Sequence, residues 1–203
     1  MTFIIGGGVL GAAVARVAAR TGPVMVGSLT PRAHPGLWVR FDLTKDGLPR
    51  DLSVDARIVV AIGAADPQPL FPGAGRTVVV IGPTRVPGAA WVWPSPVWDL
   101  HERSLQPVLD AMRQGKVGRL PRGLPTRRWL WAEDVARVAL SVNPGEEVQL
   151  QGPVLLDAEG VALALVARER GSCGTDWLRA ARVAEDPPRD DWDEGRWGGR
   201  RRL

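Results

Sequence analysis

Apolar and polar positions along the first half of the chain alternate between short β-branched runs and one stretch of helical spacing. Phe3-Ile4-Ile5 is the first run, and an Ala-rich helical pattern follows it, interrupted by Arg16 and Arg20 and ending near Thr21-Gly22-Pro23. Val24-Met25-Val26 predicts a second strand, with Gly27-Ser28 behind it. Trp38 to Phe41 predicts a third, whose alternation sets Trp38 and Arg40 on one face and Val39 and Phe41 on the other. Ala56 to Gly63 (ARIVVAIG) reads, Arg57 apart, as a β-branched run of the kind found in strands buried on both faces, and Thr77 to Ile81 predicts a further strand. Strands of this kind with a helix between them predict an α/β chain with a parallel sheet.

The second half is less regular. Only a Pro/Gly-rich loop lies between Asp66 and Arg76, which leaves little room for a crossover helix. Gly82 to Gly88 reads as an irregular loop, and Trp91, Trp93 and Trp98 crowd a stretch broken by Pro94 and Pro96. Those tryptophans either wall a cleft or cap the sheet edge; the pattern supports both readings. Helices are expected over Glu102–Gln114, over Val135–Val142, and from Asp157 or Ala158 to Arg170, with short extended pieces at Trp129–Trp131 and Gln149–Pro153. From Ala184 onward mixed charge, Pro and Gly leave little to bury, and residues 184–203 read as a disordered tail. The expected fold is a Rossmann-like doubly wound parallel sheet with a small C-terminal strand/helix extension. Residues 1–183 would form one compact domain, with residues 89–171 on the substrate side.

Gly6-x-Gly8-x-x-Gly11 stands between the first strand and the first helix, the context a dinucleotide-binding fingerprint requires. Gly6 would turn the chain off the strand, Gly8 would let a pyrophosphate approach the backbone, and Gly11 would let the helix lie tight against the strand. Val9 and Leu10 complete the loop at a helix N-terminus, whose free N–H groups favour anions. A tight turn that binds nothing has the same three glycines. After the second strand an acidic residue would bond a ribose 2′-hydroxyl, but Ser28, Leu29 and Thr30 stand there, with Arg32 following. Ser28 and Arg32 suit a 2′-phosphate, so NADP is favoured over NAD; a solvated loop charge is the plain alternative for Arg32. Asp42 closes the third strand, where a ligand contact and a turn cap are both open to it.

Composition narrows the function classes. Of 203 residues, 45% are hydrophobic and 24% charged, as in an ordinary soluble domain. The net charge of +4 comes mostly from scattered arginine, since Lys45 and Lys116 are the only lysines among 26 basic residues. A nucleic-acid footprint needs those charges clustered on one face, so no nucleic-acid partner is expected. No segment reads as a signal peptide or as long and apolar enough to cross a membrane. The lone Cys173 excludes an internal disulfide and fits a cytoplasmic location.

Taken in order, these segments resemble the extended short-chain dehydrogenase/reductase family, its epimerase and dehydratase branch. The pieces are GGGVLG at 6–11, Asp42-Leu43 after the third strand, the small-residue turn Ala61-Ile62-Gly63-Ala64-Ala65, the loop IGPTRVPG at 81–88, Asp134-Val135-Ala136, and the Gly-Pro before the last helix. They span most of residues 1–171. The resemblance implies that Asp42 holds the adenine amino group and Leu43 covers the ring. It also implies that Ala61 and Gly63 face the cofactor ribose, with Ile62 between them also at the cofactor, and that Pro83 approaches the nicotinamide. The family's acid/base is a Tyr-x-x-x-Lys pair, and this chain has no tyrosine. His101, flanked by Asp99 and Glu102, is the weak substitute; Cys173 lacks a basic partner, and no spacing supports a metal site. The function implied is oxidoreductase or epimerase chemistry on a small carbonyl or sugar nucleotide. The alternative is a non-catalytic NADP(H)-binding regulator or sensor that takes no substrate. Nothing in the pattern specifies an oligomeric state.

Overall fold

The β-branched runs become the middle of one twisted sheet. The structure, a computed structural model, describes residues 1–62, 76–94, 97–98, 110, 114, 127–128, 130–152, 155–156 and 181–182. In chain order the elements are β1 (Thr2–Ile5), α1 (Val9–Ala18), β2 (Val24–Ser28), β3 (Leu37–Arg40), β4 (Arg57–Val60), β5 (Val78–Ile81), β6 (Ala90–Pro94), β7 (Val97–Trp98), β8 (Arg127–Arg128), β9 (Leu130–Trp131), α2 (Ala132–Ser141), β10 (Glu147–Gln151), β11 (Leu155–Leu156) and β12 (Ala181–Arg182). The main sheet runs β12-β10-β6-β5-β4-β1-β2-β3, with seven parallel strands and β12 antiparallel at one edge. This is the Rossmann-like α/β sheet expected from the sequence. β7 pairs with β9, and β8 with β11, outside it.

The period of two along each strand divides the core into two layers. Ile4, Val26, Val59, Val79 and Val92 face α1 and α2, which pack on each other and on this side of the sheet. Phe3, Ile5, Ile58, Val80 and Trp91 face the other side. There the described cover comes from loops, with Leu43, Leu52 and Ala56 before β4 and Val86 and Ala89 before β6 all buried. The two helices are also tied by charge. Glu133 in the first turn of α2 meets Arg16 at 3.6 Å and Arg20 at 3.5 Å, and Arg137 one turn on at 3.4 Å. The far end of α2 is capped from the sheet, since the Arg57 guanidinium donates to the carbonyls of Ala139 (3.3 Å) and Val142 (3.0 Å). Burial of that guanidinium lowers its pKa from the ordinary arginine value.

One segment departs from the sequence reading. Ala90–Pro94, at the start of the tryptophan stretch that its prolines mark as a loop, is an internal strand, parallel to β5 on one side and β10 on the other. Pro94 is its last residue, where a missing N–H costs the ladder least. Trp91 is core, 2% exposed, and walls no cleft; with β6 internal it caps no sheet edge either. Its indole donates to the Gly82 carbonyl at 2.8 Å, and the Arg85 guanidinium lies over its ring at 4.3 Å. Residues 82–89 therefore return from the end of β5 to the start of β6 as a strap across the second face, with no helix in the crossover. Of the extended piece at Gln149–Pro153, Gln149 to Gln151 belong to a main-sheet strand, β10, and Pro153 lies outside the described residues. Of the expected helix at 102–114 only Asp110 and Gln114 are described, Asp110 helical and the Gln114 N–H donating to its carbonyl at 3.2 Å; the expected helix at 157–170 and the tail from 184 lie outside the described residues.

Candidate functional site

β1 and β4 are hydrogen-bonded neighbours at which the order of the sheet reverses: β2 and β3 extend to one side, β5 and β6 to the other. In open α/β sheets the crevice outside the C-terminal strand ends at such a reversal receives ligands. The loop from Gly6 to Gly11 and the pair Ala61-Ile62 both emerge there. The Ala61 N–H donates to Ile5 O at 2.8 Å and the Gly6 N–H to Gly27 O at 2.9 Å, which ties three strand ends together.

The three fingerprint glycines have different local reasons. Gly6 has φ +117°, and a Cβ there would stand 2.7 Å from the Ala61 carbonyl oxygen. Gly11 faces inward, where a Cβ would overlap the Gly6 carbonyl oxygen and stand 3.6 Å from Ile4 Cγ2. Gly8 is the opposite case: it is exposed, and a Cβ there meets nothing within 4 Å. It is also the N-cap of α1, with no side-chain cap on the helix and no acidic residue in its first turn. Leu10 is buried in the first core layer and Val9 packs against it, so that turn is held down on the sheet. The result is an open, uncapped helix N-terminus suited to an anionic group.

The second corner lies at the end of β2. Ser28 Oγ donates to the Thr30 carbonyl at 2.7 Å and accepts from Trp38 Nε1 at 2.9 Å. A Cβ on Gly7 would stand 3.2 Å from Ser28 Oγ and 3.5 Å from Arg32 Cδ, so the Arg32 stem lies over the glycine loop. Arg32 is exposed, and no ion pair or hydrogen bond holds its guanidinium among the described residues. Sequence reasoning brought Ser28 and Arg32 to this corner but missed Trp38. The alternation put Trp38 on the Arg40 face, yet nothing local shows that β3 pairs beside β2 in the register that joins it to Ser28.

Asp42 is a turn cap in the structure. Its Oδ1 accepts from the Thr44 N–H (3.0 Å) and hydroxyl (2.7 Å), and Lys45 Nζ stands 3.6 Å from Oδ2. These bonds, chiefly those from Thr44, hold its carboxyl below the ordinary carboxylate pKa. Leu43 is buried in the second core layer, 5% exposed. Pro83 is exposed at the head of the 82–89 strap, two strands from the glycine loop. Asp134 pairs with Arg137 on its own helix. Gly63, the rest of the small-residue turn, His101 and Cys173 lie outside the described residues. Among the described residues no group of His, Cys, Asp and Glu could hold a metal ion, and no helix is long and apolar enough to cross a membrane.

No protein-family model matches the chain, and no curated protein matches it. Solved structures do. The dTDP-glucose 4,6-dehydratase of Bacillus anthracis, solved with NAD, is 14% identical with a TM-score of 0.54, over 87% of this chain and 83% of that one. The Bordetella bronchiseptica enzyme WbmF, solved with NAD+ and UDP, is 12% identical with a TM-score of 0.58, over 90% and 81%. TunA, an NAD-dependent NDP-hexosamine 5,6-dehydratase of tunicamycin biosynthesis, is 16% identical with a TM-score of 0.55, over 84% and 82%. At such identities the shared property is architecture: this chain has the same Rossmann-like fold as these structures.

Proposed function

We propose that this chain is an extended short-chain dehydrogenase/reductase-like protein that binds NADP(H), and NAD(H) less tightly, across the strand ends at the sheet reversal. The observation that carries the reading is Gly8: an exposed helix cap with empty space where its side chain would be, between two glycines that the backbone requires. There the N–H groups of the first turn of α1 would receive the pyrophosphate, and Arg32 the 2′-phosphate. Ala61, Ile62 and Gly63 would line the ribose, Asp42 and Leu43 the adenine, and Pro83 the nicotinamide end. Bound nicotinamide supplies a hydride donor or acceptor. By likeness to dehydratases of sugar nucleotides, the substrate class is a small carbonyl or a sugar nucleotide. The lone cysteine suits a cytoplasmic setting, and neither nucleic acid nor a membrane is proposed as a partner.

A second reading, binding without turnover by a regulator or sensor, has its own support. The chain has no tyrosine, and the β5–β6 crossover at 82–89 holds no helix on which an acid/base pair could be presented. A positioned acid/base contributes roughly 10²–10⁴-fold in rate, so its loss depresses turnover far more than affinity. Titration with NADPH and NADH, read by energy transfer from the nine tryptophans, tests the binding. Saturable binding of both with NADPH tighter is expected; no saturable binding of either overturns the proposal. Brisk reduction of a carbonyl that stops in His101→Ala would reject the non-catalytic reading.

A further inference from the structure

The corner at Ser28 shows how this chain would tell a phosphate from a hydroxyl. A serine hydroxyl has one proton, and Ser28 gives its own to the Thr30 carbonyl at 2.7 Å. The same oxygen accepts the Trp38 indole N–H at 2.9 Å. Ser28 therefore has no proton left to offer an anion, and its remaining lone pair would repel one. Among the described residues, Arg32, four residues further on with its stem over Gly7, is a cationic donor at this corner whose guanidinium no ion pair or hydrogen bond holds. Trp38 sits on the neighbouring strand β3, half-buried, so its bond ties that strand to the turn leading into Arg32.

We infer that Trp38 is a positioning residue for recognition of an adenosine 2′-phosphate: through Ser28 it fixes the Ser28–Thr30 turn that holds Arg32 over the glycine loop, and Arg32, not Ser28, touches the phosphate. The inference rests on the proposed dinucleotide site but reassigns Ser28 from phosphate ligand to anchor. It also makes cofactor preference depend on a residue that touches no cofactor. Trp38→Phe keeps an aromatic ring while removing the N–H donor and part of the indole volume. Ser28→Ala removes the acceptor from the other side and repeats the test if the tryptophan variant does not fold.

The experiment is the NADPH and NADH titration of the full chain, run on the wild type, both variants, and each variant in an Arg32→Ala background. Each single variant should lower the NADPH-to-NADH affinity ratio roughly two- to tenfold, the worth of one ordinary hydrogen bond, with NADH affinity unchanged. In the Arg32→Ala background neither should change the ratio further, because the effect passes through Arg32. An unchanged ratio in Trp38→Phe with a lowered one in Ser28→Ala would mean that Ser28 contacts the phosphate itself, and overturns the inference. So does an unchanged ratio in both, a further fall on top of Arg32→Ala, or loss of NADH binding in the variants alone. Absence of binding in the wild type is a different failure, that of the dinucleotide site.

Discussion

Gly8 and Gly11 are three residues apart in one motif, yet the structure separates what each is for. A Cβ at Gly8 meets nothing within 4 Å, and its φ of −74° and ψ of −170° are open to any L-residue. Gly8→Val therefore costs the fold only the difference between glycine and an apolar N-cap, up to about 1 kcal/mol. A Cβ at Gly11 overlaps the Gly6 carbonyl oxygen and stands 2.8 Å from the carbonyl carbon, both backbone atoms that no rotamer can move. Forced overlap of this kind costs about 1–3 kcal/mol or more, against which alanine gains about 1 kcal/mol of helix propensity. Backbone on both sides of the clash puts Gly11→Ala at the upper end, near 2 kcal/mol net. At about 2–4 °C per kcal/mol for a chain of this size, Gly8→Val should melt within about 4 °C of wild type. Gly11→Ala should melt about 4–8 °C lower. Binding should run the other way: Gly8→Val abolishes NADPH affinity, because its side chain fills the space a pyrophosphate needs. Thermal melts and the fluorescence titration read both quantities on the same samples. Normal NADPH binding by Gly8→Val would falsify the cofactor reading and leave the glycines as a tight turn. A wild-type melting temperature for Gly11→Ala would refute the packing half of the reasoning.

Three further outcomes are expected. Arg32→Ala should weaken NADPH by about 1–2 kcal/mol, as for a lost charge-assisted contact, and leave NADH nearly unchanged; equal losses would show that Arg32 does not read the 2′-phosphate. Trp91→Phe removes the bond that holds the buried Gly82 carbonyl and leaves part of the indole volume empty, so urea denaturation should register a loss of about 2–4 kcal/mol. A loss below about 1 kcal/mol would mean that the strap is held by Val86, Ala89 and the other Arg85 contacts instead. Asp42 has a lower pKa in the folded chain than unfolded, so its charge adds stability above the ordinary carboxylate pKa and loses it as pH falls through the folded value. The gap in melting temperature between wild type and Asp42→Asn should accordingly be largest near neutrality and close in acid, whereas a pH-independent gap would rule out a charge effect.

By itself the sequence determined the strand–glycine–helix opening and the strands at Val24, Arg57 and Val78, because each carries its own signal. A run of β-branched residues buried on both faces needs no partner to be recognised, and the spacing of Gly6, Gly8 and Gly11 is local backbone chemistry. The alternation Ala90-Trp91-Val92-Trp93 also carried the strand period, with Ala90 and Val92 on one core layer and Trp91 and Trp93 on the other, but Pro94 and Pro96 obscured it. Only the tertiary structure decided that this segment is internal, because β10, more than 50 residues later, supplies its second edge. The same holds at the candidate site. Their place after the second strand brought Ser28 and Arg32 together, but the proton of Ser28 is committed to Thr30 and one of its lone pairs to Trp38 from another strand. Which hydrogen bonds a hydroxyl has left to give depends on strand register and on neighbours brought from elsewhere in the chain. No local pattern of residues encodes those partners.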